Sequence, residues 1–116
     1  ALWKREERLV VTVQNLAEFW SVSTRPVDRN GYGLSADRTS SRLRLTERIC
    51  SVMTEDDDSY RVWKGLLLTY AVTGVSVHDA RLVSVMLAHG VQGILTLNER
   101  DFRRYEGISV YRPGDL

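Results

Sequence analysis

The stretch SVHDARLVSVMLAHG, residues 76–90, decides how the fold is interpreted. Apolar side chains occupy positions on almost every side of the helix that it would form, which is typical of a helix buried in a core. At 3.6 residues per turn, Asp79 shares a face with Val83, whereas Arg81 and Ser84 fall on the roughly opposite face. A carboxylate on a buried face therefore requires an explanation.

The ends of this helix offer one explanation. Ser76 lies three residues before Asp79 and is predicted to be the N-cap, and Gly90 is predicted to end the helix. A Ser-x-x-Asp spacing is also that of a capping box, in which the acid accepts a hydrogen bond from the N–H of the N-cap. Asp79 thus has a structural interpretation beside a functional one.

The composition indicates one ordinary globular domain. The chain has 116 residues, of which 43% are hydrophobic and 27% charged, enough for a core without disulfides. Its net charge of +1 favours no class of partner, and the single Cys50 excludes an internal disulfide. No apolar run has membrane length and the start does not resemble a signal peptide, so a cytoplasmic protein without membrane contact is expected.

Outside residues 76–90, short β-branched runs alternate with helical patterns. The predicted strands are residues 9–13, 50–54, 94–97 and 108–111. The other predicted helices are residues 15–24, 35–49, 59–72 and 98–105. Strands that alternate with helices predict an α/β layer fold with a mainly parallel sheet.

The cap-plus-acid spacing of residues 76–79 recurs after two of the predicted strands. The three instances are Asn15-x-x-Glu18, Ser76-x-x-Asp79 and Asn98-x-x-Asp101. For any one of them alone, a capping box is the simpler interpretation. Open parallel sheets, however, gather helix N-termini at the carboxyl ends of the strands, where such folds bind ligands. Carboxylates gathered there repel each other and need a proton or a cation, and their hard oxygens suit Mg²⁺ or Mn²⁺.

Three stretches resemble the PIN-domain ribonucleases, and among them the VapC-type toxins of bacterial toxin–antitoxin pairs. They are LVVTVQNLAEFWSVSTRP followed by NGYGLS, then VHDARLVSVMLAHGV, then ILTLNERDFRRYEGISVYRP, in the order that the family uses. The resemblance implies an α/β/α sandwich of helices around a short, mainly parallel sheet. It also implies acids at the carboxyl edge of that sheet that hold one or two divalent ions.

The resemblance assigns roles to individual residues. Glu18 takes the place of the family's second acid and Asp79 that of its third, and we expect Asp101 to complete the catalytic and metal-binding set. Three polar residues near these acids are expected to support them: Asn15, Thr96 and Asn98. Whether Asn98 or Asp101 completes the site is left open by the sequence.

The chain departs from the family pattern at its start. The family begins with a strand that ends in an Asp-Thr-Asn-like motif and supplies the first acid, and residues 1–8 do not match it. In the family that strand lies between those matching residues 9–13 and 94–97. We therefore expect residues 1–116 to form a single PIN-like domain that lacks its N-terminal central strand.

The implied activity is metal-assisted hydrolysis of RNA phosphodiesters by a toxin. RNA-backbone contacts are expected from the arginines of residues 25–48, although a solvated helix surface explains them equally well: Arg25, Arg38, Arg42, Arg44 and Arg48. A small antitoxin is expected to dock on a helical surface such as that of Leu45 and Ile49, and a homodimer is expected. The alternative is a non-catalytic PIN-like module that only binds a protein or RNA partner.

Overall fold

The structure, a computed structural model, describes residues 9–115. It has the predicted α/β class, with four α-helices and four short strands among the described residues. These residues form two compact units, which divide after Met53. None of the helices within residues 9–115 is long and apolar enough to cross a membrane.

The first unit contains two parallel strands and two helices. Its elements are β1 (Val10–Thr12), α1 (Val13–Thr24), α2 (Ala36–Ile49) and β2 (Ser51–Met53), with a 3₁₀ turn at Val27–Arg29. The two strands pair in parallel with Val11 opposite Val52. Ser35, at which this helix was predicted to begin, is the N-cap of α2: its hydroxyl accepts a hydrogen bond of 3.2 Å from the N–H of Arg38.

The start of α1 differs from the prediction. Asn15 is not the N-cap; Thr12 is, and the helix begins at Val13. Thr12 and Asn15 form a capping box: the Thr12 hydroxyl accepts from the Asn15 N–H at 3.1 Å, and the Asn15 side chain accepts from the Thr12 N–H at 2.9 Å. The asparagine therefore performs the role that was expected of an acid, and Glu18 lies a full turn too late to cap the helix.

The NGYG segment folds back onto the end of α1. The N–H of Gly33 donates to the carbonyl of Arg25 at 2.8 Å, and the N–H of Leu34 donates to that of Ser23 at 2.9 Å. A Cβ atom at Gly31 would lie only 2.1 Å from the Arg25 carbonyl oxygen, so glycine is required there. This close contact fixes the connection from α1 to α2.

The second unit packs two helices beside a second pair of parallel strands. Its elements are α3 (Asp57–Thr69), α4 (Ser76–Ala88), β3 (Gly93–Leu95) and β4 (Ser109–Tyr111), with 3₁₀ turns at Glu99–Asp101 and Pro113–Asp115. Its core contains side chains from both helices and from the segment after the Glu99–Asp101 turn: Leu66, Ala80, Val83, Phe102 and Tyr105. In addition, the Trp63 indole N–H donates to the Val77 carbonyl at 3.2 Å and joins α3 to α4.

The buried helix predicted from residues 76–90 is α4. Val83 is fully buried and Met86 is 3% exposed. Ser84 is also buried, contrary to the polar face expected for it, because its hydroxyl donates to the Arg81 carbonyl at 2.6 Å and so needs no water. Gly90, with φ of +70°, ends the helix as predicted.

The start of α4 lacks the expected cap. Ser76 is the first helical residue rather than the N-cap, which is Val75, and no side chain caps the helix. The N–H groups of Val77 and His78 donate instead to the carbonyls of Gly74 and Val75, at 3.2 and 3.1 Å. The preceding turn therefore satisfies donors that a capping side chain would otherwise serve.

The remaining strands and α3 lie within three residues of their predicted bounds and are shorter than predicted, and α3 and β3 begin earlier, at Asp57 and Gly93. The helix expected over residues 98–105 is only the Glu99–Asp101 3₁₀ turn followed by further turns. Within the described residues, β1 pairs only with β2 and β3 only with β4, so each sheet has two strands. Residues 1–8, where the family's N-terminal strand was expected to be lacking, lie outside the described residues.

Candidate functional site

Asp79 lies in the first turn of α4 and is half-buried. Its carboxylate accepts no hydrogen bond from residues 9–115, so it is not the acid of a capping box. Burial raises its pKa above the ordinary 3.8, and the negative charge of Asp101 raises it further, whereas His78 and Arg104 lower it. The capping interpretation of Asp79 is therefore wrong, and its surroundings disfavour the ionised form of the carboxylate.

Asp101 is the acid that the second unit brings close to Asp79. It ends the Glu99–Asp101 turn, is exposed, and donates its own N–H to the Asn98 carbonyl at 3.1 Å. Thr96 shapes the preceding turn, because its hydroxyl accepts from the Asn98 N–H at 3.0 Å. Asn98 precedes the turn but makes no side-chain cap. The two polar residues thus hold the backbone that carries Asp101.

Arg104 is a charged neighbour that the sequence interpretation missed. Its guanidinium donates to the Tyr70 carbonyl at 3.5 Å and to the Tyr105 hydroxyl at 3.2 Å. Tyr105 is only 2% exposed, and its ring contacts that of Tyr70 edge to face at 4.9 Å between centroids. Arg104 is thereby held by half-buried Tyr70 and buried Tyr105, while its positive charge acts on Asp79. In the sequence, the only indication that Arg104 lies near the acids is its position three residues after Asp101.

Glu18 belongs to the first unit. It lies on the second turn of α1 and is exposed, whereas Asn15 is occupied by the capping box with Thr12. The expected supporting role of Asn15 therefore acts on the start of α1, which carries Glu18 three residues later. The three expected acids are thus on α1, on α4 and after β3.

Comparison with known proteins identifies the family. A family model for the PIN domain matches residues 1–108 of the chain. The chain belongs to the PIN domain family. A search of curated proteins gave no significant match. PIN domains are generally metal-dependent nucleases.

The donor atoms of Asp79 and Asp101 suit a hard divalent cation. Both are carboxylates, and their mutual repulsion is relieved when a cation lies between such groups. Within residues 9–115, no group of three or more His, Cys, Asp or Glu side chains is arranged to hold a metal ion. The second unit of the PIN domain therefore brings two carboxylates near each other, those of Asp79 and Asp101.

The expected RNA-contacting arginines are all exposed. One ends α1 and four lie on α2: Arg25, Arg38, Arg42, Arg44 and Arg48. None of them forms an ion pair within the described residues, and Arg44 donates only to the Ser41 hydroxyl, at 3.3 Å. On the same helix, Leu45 and Ile49 are 56% and 57% exposed. The first unit thus presents a basic and apolar helix face.

Proposed function

We propose that this PIN domain is a Mg²⁺- or Mn²⁺-dependent endoribonuclease and the toxin component of a toxin–antitoxin pair. The single observation that carries the nuclease proposal is the Asp79 carboxylate, whose ionised form is disfavoured by its surroundings. It makes no hydrogen bond within residues 9–115, and its pKa is raised first by burial and then by Asp101. A carboxylate held in this way gains most from a cation. Glu18, Asp79 and Asp101 are proposed as the metal-binding and catalytic residues.

The side chains of the second unit have separate proposed roles. Asp79 and Asp101 would hold the cation, which would supply Lewis-acid activation of the scissile phosphate and of the attacking water. Thr96 and Asn98 fix the turn that presents Asp101. Arg104, held by Tyr70 and Tyr105, places a permanent positive charge beside the acids. That charge limits the repulsion between the carboxylates when no cation is bound.

A nuclease assay tests the catalytic assignment. A single-stranded RNA and a DNA of the same sequence are incubated with the chain and Mg²⁺ or Mn²⁺. We expect cleavage of the RNA, and a loss of about a hundredfold or more in Asp79→Asn, because removal of a group that stabilises charge in a transition state has effects of that size. Asp58→Asn is the matched control, since Asp58 is exposed and pairs only with Arg61 on the surface. Equal activity in the two variants would contradict the assignment.

RNA-backbone binding is proposed for the exposed arginines of α2. Four arginines on one helix outnumber its two acids, Asp37 and Glu47, so the surface is locally basic. Such a surface binds phosphates without regard to sequence and is weakened by salt. A cytoplasmic location and a homodimer belong to the same proposal.

The antitoxin is proposed to cover Leu45 and Ile49. These two side chains lie one turn apart on α2 and are more than half exposed, which is the spacing that a partner helix can recognise. Leu45→Lys should leave RNA cleavage unchanged and abolish inhibition by the co-expressed neighbouring gene product. Retained inhibition would place the antitoxin elsewhere.

A second candidate function is a non-catalytic module that binds a protein or RNA partner. It is supported by the arrangement of the acids, since no group of three potential metal ligands occurs within residues 9–115. RNA binding without cleavage, equal in the chain and in Asp79→Asn at saturating Mn²⁺, would favour this candidate over the nuclease.

A further inference from the structure

A groove of about 640 Å³ lies in the second unit between the starts of α3 and α4. Tyr60, Trp63 and Val77 form its apolar wall, and Glu55, Asp57 and Arg81 are among the charged residues along it. The hydrogen bond from the Trp63 indole N–H to the Val77 carbonyl, 3.2 Å long, joins the two helices that carry this wall. The proposed nuclease function does not use this groove.

The charge of the groove is negative. Glu55 is neutralised by Arg81, whose guanidinium donates through Nε and Nη2 to both oxygens of the Glu55 carboxylate. Asp56 serves as the N-cap of α3, accepting from the Ser59 N–H at 2.9 Å, and this hydrogen bond lowers its pKa, so it stays ionised at neutral pH. Asp57 is exposed and forms no ion pair or side-chain hydrogen bond within the described residues.

The start of α3 does not reverse this sign. A helix N-terminus is equivalent to roughly half a positive charge, whereas Asp56 and Asp57 carry two negative charges that Arg81 does not offset. Lys64 at the Tyr60 ring and His89, 3.8 Å from Asp56, lie outside the lining and compensate part of this charge, so the negative charge is concentrated at Asp57. A phosphate backbone is therefore repelled from the groove, and a cation is attracted to it.

The aromatic wall also suits a cation. The Nζ atom of Lys64 already lies 5.2 Å from the centroid of the Tyr60 ring, so the chain itself places a cation on this wall. Trp63 lies one helical turn from Tyr60, with ring centroids 6.3 Å apart, and indole is the ring that cations prefer. Apolar contact with Val77 is available beside it.

We propose that this groove binds a segment of a protein partner that presents an arginine or lysine next to an apolar side chain. The cationic group is placed between Asp57 and the Trp63 ring, and the apolar neighbour contacts Tyr60 and Val77. Charge complementarity favours a cationic segment over nucleic acid, because phosphates at this position would face Asp57.

Titration with short blocked peptides tests the proposal on the full chain. The probe is acetyl-Leu-Arg-Leu-amide, and the matched probes replace its arginine with glutamine or glutamate. Binding is followed by ¹⁵N NMR at the Trp63 indole N–H and at the backbone amides of Asp57 and Tyr60. We expect the arginine peptide to shift these signals with a lower dissociation constant than the glutamine peptide, and the glutamate peptide to leave them in place.

Two variants assign the interaction to this groove. Asp57→Asn should weaken binding of the arginine peptide by up to about fivefold, the effect of one surface charge pair. Asp58→Asn is the matched control: Asp58 is the next residue, lies outside the groove lining and pairs with Arg61 at 3.4 Å, so binding should be unchanged. Equal affinity for the arginine and glutamine peptides would overturn the proposal, as would equal weakening by the two variants. Shifts of the Trp63 indole by an oligoribonucleotide, without shifts by the peptide, would assign the groove to nucleic acid instead.

Discussion

At the scale of single residues, Asp79 combines burial, a like-charged neighbour and the absence of a hydrogen-bond donor among residues 9–115. Each of these disfavours the ionised carboxylate, and the pKa is raised accordingly. The folded state thus favours the protonated form more than the unfolded state does. The resulting contribution to stability is present below the ordinary pKa of 3.8 and is lost as the pH rises through the raised value.

Asp79→Asn should therefore increase the free energy of unfolding at pH 7 in the absence of divalent ions. The gain should shrink as the pH falls toward 3.8, because the wild-type carboxyl then also becomes neutral. Urea denaturation at several pH values measures it, with Asp58→Asn as the control that should stay within about 0.5 kcal/mol of the wild type. A loss of about 1 kcal/mol in Asp79→Asn, typical of a removed helix cap, would contradict this interpretation.

The neighbours of Asp79 should move its pKa in opposite directions. Asp101→Asn removes a negative charge and should lower the pKa of Asp79, whereas Arg104→Gln removes a positive charge and should raise it. NMR titration of the Asp79 carboxyl carbon distinguishes the two. Arg103→Gln is the control, since Arg103 is exposed and pairs with Glu99 at 2.7 Å. An unchanged pKa of Asp79 in both test variants would show that burial alone sets this pKa.

At the scale of elements, the helix cores were predicted more accurately than their caps. Apolar periodicity places α4 correctly because burial of Val83 and Met86 involves the whole helix. The caps depend on single hydrogen bonds, and several residue types can make them. Thr12, expected to lie inside a strand, caps α1, and Gly74 and Val75 replace a capping side chain at α4.

Thr12→Ala should reduce the free energy of unfolding by about 1 kcal/mol, because it removes the hydroxyl that accepts from the Asn15 N–H. Glu18→Gln should leave stability nearly unchanged, because Glu18 is exposed and does not cap α1. Thermal denaturation of the two variants at neutral pH makes the comparison. If Glu18→Gln were the more destabilising change, the structural assignment of this cap would fail.

The basic surface of α2, also a property of a single element, predicts salt-dependent RNA binding. If Arg38 and Arg42 each contact one phosphate, the double substitution to Gln should reduce the slope of log affinity against log salt by roughly 1.4, at about 0.7 per contact with single-stranded RNA. Affinity is measured for catalytically inert Asp79→Asn at several KCl concentrations. Arg61→Gln on α3 is the control with an expected change near zero. An unchanged slope in the double variant would mean that these arginines are only a solvated surface.

At the scale of the whole molecule, the candidate acids could be found from the sequence and their surroundings could not. Glu18, Asp79 and Asp101 each follow a recognisable strand or begin a helix, so short-range patterns locate them. Arg104 donates a hydrogen bond to the carbonyl of Tyr70, which is 34 residues away, and its placement depends on how Tyr70 and Tyr105 pack. Likewise, the Arg81–Glu55 pair joins residues 26 positions apart. Contacts at such separations are products of the folded chain and leave no local pattern.

A cation that binds the folded protein should stabilise the whole molecule by mass action. At a free Mn²⁺ concentration one hundred times its dissociation constant, the free energy of unfolding should rise by about 2.7 kcal/mol, and chelation with EDTA should remove the gain. Because Asp79 and Asp101 are the proposed ligands of the second unit, Asp79→Asn and Asp101→Asn should each lose most of this stabilisation. Glu18→Gln should lose part of it if Glu18 is a ligand, and Asp58→Asn should retain all of it. Denaturation with and without Mn²⁺ measures the effect independently of RNA cleavage. Full stabilisation of Asp79→Asn would place the bound cation at other residues and would refute the metal assignment.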